Sequence, residues 1–226
     1  MKKFKKLIPA LCMLLVSAVM LGTTTFAWFS MNTSVKATNM TVTARSNSTY
    51  LQISKTSATE GFDVSADMTK NDKVYPCAFD TATNTFYTAN NKQSDGKGEV
   101  INKKNIEMTD DKYLSISTVY LKLTKDSEAY NNKPLTVTFA LNEAGHDSVK
   151  AVVKVNDEYK TLASGSGNNT ATFSSTTITS ETALTVTIYV YIDGTNKDVN
   201  SDYINNTATA NNLTGVVELT FGINVG

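Results

Sequence analysis

Leu184–Ile192 reads LTVTIYVYI, nine residues that alternate without a break. Leu184, Val186, Ile188, Val190 and Ile192 fall on one side, Thr185, Thr187, Tyr189 and Tyr191 on the other. A period of two in β-branched and aromatic residues is the pattern of a strand with a buried face. The two tyrosines predict that the second face is at least partly covered as well.

The same alternation recurs outward from this stretch. SISTVYLKLT places Val119, Leu121 and Leu123 on one face, and LTVTFAL does so with Leu135, Val137, Phe139 and Leu141. VKAVVKV follows with Val149, Ala151, Val153 and Val155, then turns at Asn156-Asp157 into EYKTL. Gly165–Asn169 is a second turn, leading into TATFS, and GVVELTFGINV closes the chain with Val217, Leu219, Phe221, Ile223 and Val225 on a shared face. Towards the N-terminus, Tyr50–Lys55 alternates through Leu51 and Ile53. KVYPCAFD and TNTFY are short aromatic runs across a turn at Asp80–Asn84, with Pro76 marking an edge position. Ser34–Ala44 is extended, with Met40, Val42 and Ala44 on one face and threonines on the other. Thr56–Lys73 is polar and weakly patterned, residues 89–111 are polar enough to be a surface excursion, and Ser201–Asn206 could form a short helix. Strands of this length, spaced by turns and lacking long amphipathic helices, predict an all-β, antiparallel two-sheet sandwich of jelly-roll type.

The first 27 residues read differently. MKKFKK precedes LIPALCMLLVSAVMLG, a basic head and an apolar run of export-signal length. Thr25 and Ala27 form a small-x-small cleavage pattern, so the expected division is a signal peptide at 1–27, forming an export helix, and a single domain at 28–226. The competing reading is an uncleaved anchor over Leu7–Phe29, since about 20 mainly apolar residues span a bilayer. In either case the membrane is met only through the N-terminal segment.

Composition narrows the function. The 226 residues are 41% hydrophobic and 19% charged, with a formal net charge of zero. Lys2, Lys3, Lys5 and Lys6 belong to the export segment; without those four, 17 basic residues face 21 acidic ones, a net of −4. No basic surplus remains to grip phosphates, so nucleic acid is not an expected partner. Cys12 lies in the export run and Cys77 stands alone beyond it, which predicts a buried thiol rather than a disulfide. His146, in the loop NEAGHDS, is the only histidine and reads as a surface-loop residue. With no zinc spacing, nucleophile elbow or phosphate-binding glycine loop, neither an enzyme nor a cofactor is expected. Asp193, Asn196, Asp198, Asn200 and Asp202 set oxygen ligands at close intervals, as calcium loops do. They lack the EF-hand order, and an Asx-rich turn is the simpler reading.

The junction TTTFAWFSMN at Thr23–Asn32, with Trp28 and Phe29 leading the mature chain, resembles that of the TasA/camelysin family of exported Gram-positive proteins. VVELTFGINV is similar to that family's closing strand, although Gly222 stands where a larger residue is usual. The resemblance implies cleavage by a SipW-type signal peptidase, secretion to the matrix or cell surface, and a jelly-roll-like subunit. It also implies self-association into biofilm matrix fibres, in which one subunit's N-terminal segment completes the next subunit's sheet. Here that segment would be residues 28–44, with Trp28 and Phe29 as anchors and Val35, Met40 and Val42 filling the acceptor groove. The plain alternative is that the segment is the first strand of its own domain. The metalloprotease label attached to camelysins does not carry over to a chain with one histidine and no zinc motif. A membrane-anchored or wall-associated binding domain, using residues 89–111 and exposed tyrosines, is the second functional expectation.

Overall fold

The computed structural model describes residue 13, the backbone of 43–46, and residues 50–68, 74–89, 104–142, 145–165, 167–196, 199 and 216–224. The chain divides into two compact units, Met1–Lys36 and Ala37–Gly226. In the first, Met13 alone is described; it is helical and exposed. The expected export helix otherwise lies outside the described residues, among which no helix is long and apolar enough to cross a membrane.

The second unit is all-β, with thirteen strands and a single 3-10 turn at Glu128–Tyr130 among the described residues. The strands are β1 Thr43–Ser46, β2 Leu51–Ser54, β3 Ser65–Asp67, β4 Cys77–Asp80, β5 Thr85–Thr88, β6 Asn105–Ile106 and β7 Ser115–Leu123. β8 Leu135–Leu141, β9 Val149–Val155, β10 Glu158–Ala163, β11 Thr170–Phe173, β12 Leu184–Ile192 and β13 Val217–Ile223 complete them. Sheet A runs β11-β8-β13-β1-β3, sheet B β10-β9-β12-β7-β2 and sheet C β4-β5-β6.

Alternation explains how sheets A and B meet. Val119, Leu121, Val153, Val186 and Ile188 of sheet B join Leu135, Val137, Phe139, Leu219 and Phe221 of sheet A in one buried cluster. Each such side chain contributes about 1.5–3 kcal/mol of transfer free energy, which makes this cluster the main source of stability. The Asn156-Asp157 hairpin forms as expected, with Asn156 at a φ of 53°. The turn after β10 instead carries the chain from sheet B to β11 in sheet A, and Ala163 N–H donates to the Asn168 carbonyl across it.

Several expectations need correction. A third sheet is present, so the described chain is not a two-sheet molecule. Sheet C covers the second face of sheet B: Cys77, Phe86 and Ile106, with Leu114 just ahead of β7, bury Val152, Tyr189 and Tyr191 in a second cluster. Pairing is not uniformly antiparallel, because β1 runs parallel to β13 (Thr43↔Glu218 to Ser46↔Phe221). Residues 89–111 are not wholly a surface excursion: Ala89 is buried, and Asn105–Ile106 forms β6 with Ile106 inward. The polar Thr56–Lys73 contains strand β3, held by β1 through its backbone. Finally, His146 is only 3% exposed, because its loop folds back at the start of β9, where Val149 N–H donates to the His146 carbonyl.

Candidate functional site

Among the described residues, sheet B is incomplete along one side. β2 pairs with β7 from Leu51↔Leu123 to Ser54↔Tyr120 and then leaves the sheet. β12 continues along the other side of β7 as far as Ser115. Among the described residues, Ser115–Val119 therefore has a neighbouring strand on one side only. The direction of its backbone groups follows from the ladder. Thr124 N–H donates to the Tyr50 carbonyl, so every second residue of β7 faces β2, and the same alternation turns the N–H and C=O of Thr118 onto the open edge.

A notch of about 320 Å³ lies against this edge, lined by Lys55, Thr56, Asp67, Met68, Ser117 and Thr118. Lys55 and Thr56 are where the chain departs from β2; Asp67 ends β3, an edge strand of sheet A, and Met68 follows it. Ser117 is 5% exposed and Ser115 1%, on the same inward face as Val119 and Leu121. Neither hydroxyl has a hydrogen-bond partner among the described residues. A buried unpaired hydroxyl costs about 1–3 kcal/mol; two of them lie beside this strand edge, and that of Ser117 lines the notch.

Thr25, Ala27, Trp28, Phe29, Val35, Met40 and Val42 lie outside the described residues. Thr43 and Ala44, the last two residues of the expected donor segment, are in β1 of this chain's own sheet A, between β13 and β3. Thr43 stands opposite Asp67, so the chain enters β1 at the wall of the notch.

Of the candidate calcium ligands, Asp198, Asn200 and Asp202 also lie outside the described residues. Asp193 is 6% exposed and its carboxylate is already engaged. Lys150 Nζ donates to Oδ2 at 2.5 Å, while the Thr195 backbone N–H and hydroxyl donate to Oδ1 at 3.0 and 2.6 Å. The Thr195 N–H bond to Oδ1 makes an Asx turn, and Asn196 N–H donates to the Asp193 carbonyl to close a β-turn around it. Among the described residues, no group of three or more His, Cys, Asp and Glu side chains could hold a metal ion.

Cys77 is the buried thiol the sequence predicts, 0% exposed, with Sγ 3.7 Å from the Tyr113 carbonyl. Burial pushes its pKa well above the usual thiol range, with the Asp193 carboxylate adding to the shift, so little reactive thiolate forms. Tyr191 is raised in the same way, first by burial and then by Asp193. Burial also raises Tyr189.

Comparison of the chain with protein-family models, curated proteins and solved structures finds no match.

Proposed function

We propose that this chain is an exported structural subunit of a bacterial surface or matrix fibre, assembled by donation of its N-terminal segment to a neighbouring copy. The observation that carries this reading is the edge of β7 beside the notch, which has no neighbouring strand among the described residues. An unpaired strand edge offers a row of backbone donors and acceptors that an added strand satisfies. Repeated head to tail, such an exchange grows an open filament. In this reading sheets A and B form a jelly-roll-like sandwich, the leader is removed after Ala27 by a SipW-type peptidase, and the donated portion is Trp28–Val42, with Trp28 and Phe29 as anchors.

Electron microscopy of the purified chain beginning at Trp28 tests the proposal. Filaments are expected, and removal of residues 28–34 should abolish them while leaving a folded monomer. Filaments unchanged by that truncation would refute strand donation, and native protein whose N-terminus precedes Trp28 would refute the processing step.

A further inference from the structure

We infer that Lys150 and Asp193 react with each other to form an amide between their side chains, a covalent tie from β9 to the end of β12. The inference is independent of strand donation and adds a modification that the folded chain makes on itself.

The ladder brings the two residues together. Tyr191 pairs with Lys150 and Ile192 with Val149, and just beyond them Asp193 N–H donates to the Ser148 carbonyl. Lys150 therefore shares a face with Val152, Tyr191 and Asp193, and meets Asp193 on the diagonal. Its Nζ lies 2.5 Å from Asp193 Oδ2, and a carbon–oxygen bond of about 1.2 Å puts it within about 3.7 Å of Cγ. Bound groups react from separations of about 3–3.5 Å, so little movement is needed. The Asp193 side chain is 9% exposed and that of Lys150 30%, so the carboxyl carbon is shielded from water while a departing water can leave on the lysine side.

The attacked carboxyl is already held. Thr195 N–H and the Thr195 hydroxyl donate to Oδ1 at 3.0 and 2.6 Å, the kind of paired donor that steadies an oxyanion. Within the ion pair, the Lys150 ammonium passes one proton to Oδ2, leaving an amine and a carboxylic acid. The amine lone pair bonds to Cγ, and negative charge gathers on Oδ1. As the Cγ–Oδ2 bond breaks, the nitrogen gives a second proton to the departing hydroxyl, which leaves as water. One ammonium and one carboxylate become one amide and one water, with no oxidant or outside reactant. The ion pair is the reactant, so a newly folded chain carries it and the amide accumulates with time.

A rival nucleophile is adjacent in sequence. In an Asp-Gly pair the glycine nitrogen can attack the aspartate carboxyl and close an imide, also with loss of water. Here Gly194 N–H donates to the Cys77 carbonyl at 2.9 Å, which commits that nitrogen elsewhere. The Lys150 amine is the nucleophile left facing the carboxyl.

The test is the intact mass of the chain beginning at Trp28, purified folded and sampled over time. The mass should fall by one water, and a digest should yield a branched peptide joining the segments around Lys150 and Asp193. Lys150→Arg keeps the ion pair but offers no nucleophile, so its mass should stay that of its sequence. Asp193→Asn should form the same amide by losing ammonia instead of water, and so end at the parent's final mass. Thr195→Val removes the hydroxyl donor and should close on the order of a hundredfold more slowly. A folded parent whose mass remains that of its sequence overturns the inference. So does a water lost from a linear peptide containing Asp193-Gly194, since that product is the imide, which opens in mild alkali where a lysine amide persists.

Discussion

Replacing Phe86 by Ala tests whether sheet C is a separable layer. Phe86 is fully buried and is the centre of the second cluster, its ring centroid 4.8 Å from that of Phe79, 5.7 Å from Tyr189 and 5.3 Å from Tyr191. Truncating a buried Phe costs about 3–5 kcal/mol from lost transfer and the cavity left behind. The three ring contacts place this site at the upper end of that range. Sheet C has little to set against such a loss, since its strands hold four, four and two residues. The expected outcome is therefore local: β4–β6 detach while the core shared by sheets A and B persists. Cys77, in β4 and 0% exposed, is the reporter and the sole thiol of the chain beginning at Trp28. Its labelling by an aromatic disulfide reagent should accelerate by about two orders of magnitude or more in native buffer. Amide exchange in β8 and β13 should stay slow. Labelling no faster than in the parent, or β4–β6 and β13 amides losing protection together by the same amount, would refute the separable layer.

Other outcomes follow from single contacts. A Cβ at position 194 would lie 2.0 Å from the Ala89 carbonyl oxygen, so Gly194→Ala should cost about 3 kcal/mol or more in urea unfolding. Asp193→Ala strips the partner from Lys150 and the two hydrogen bonds that Thr195 donates; because Lys150 is partly exposed, the expected loss in a thermal melt is about 1–3 kcal/mol. Cys77, Tyr189 and Tyr191 are all held protonated by burial, with folded pKa values above the unfolded ones. Their contribution is thus fully present below about pH 9 and is lost as the pH rises and the unfolded chain sheds protons the folded chain keeps. Stability from urea titrations should fall through the alkaline range by up to about 1.4 kcal/mol per pH unit for each group, and less steeply in Cys77→Ala.

Much of the fold is legible because a period of two reports a buried face. β7, β8, β9, β12 and β13 all fall where the alternation places them, and the tyrosines of β12 correctly announce a covered second face. Alternation does not name the partner, however. CAFD and TFY read as strands with Pro76 at an edge, yet nothing in them says that they lie on Tyr189 and Tyr191. β3, with Ala66 as its one buried residue, and the two-residue β6 are too short to carry a period at all. The parallel pairing of β1 with β13 joins the two ends of the domain and has no local signal. His146 sits among polar neighbours, and only the fold of its loop buries it. The candidate site is the least legible part. Ser115 and Ser117 look like the unremarkable start of a strand, and among the described residues the edge beside them is open because β2 stops opposite Tyr120, a fact of register.

Sheet C also has a genealogical consequence. Everything from β4 to β6 is one uninterrupted run of chain between β3 and β7, so it could have been gained or lost in a single event without rethreading either large sheet. The side chains beneath it record which happened. A homologue lacking the run should carry polar residues where this chain has Val152, Tyr189 and Tyr191, since water would then wet that face. A homologue lacking it but retaining the apolar trio would have lost its cover recently, or would be using the bared face to hold something else.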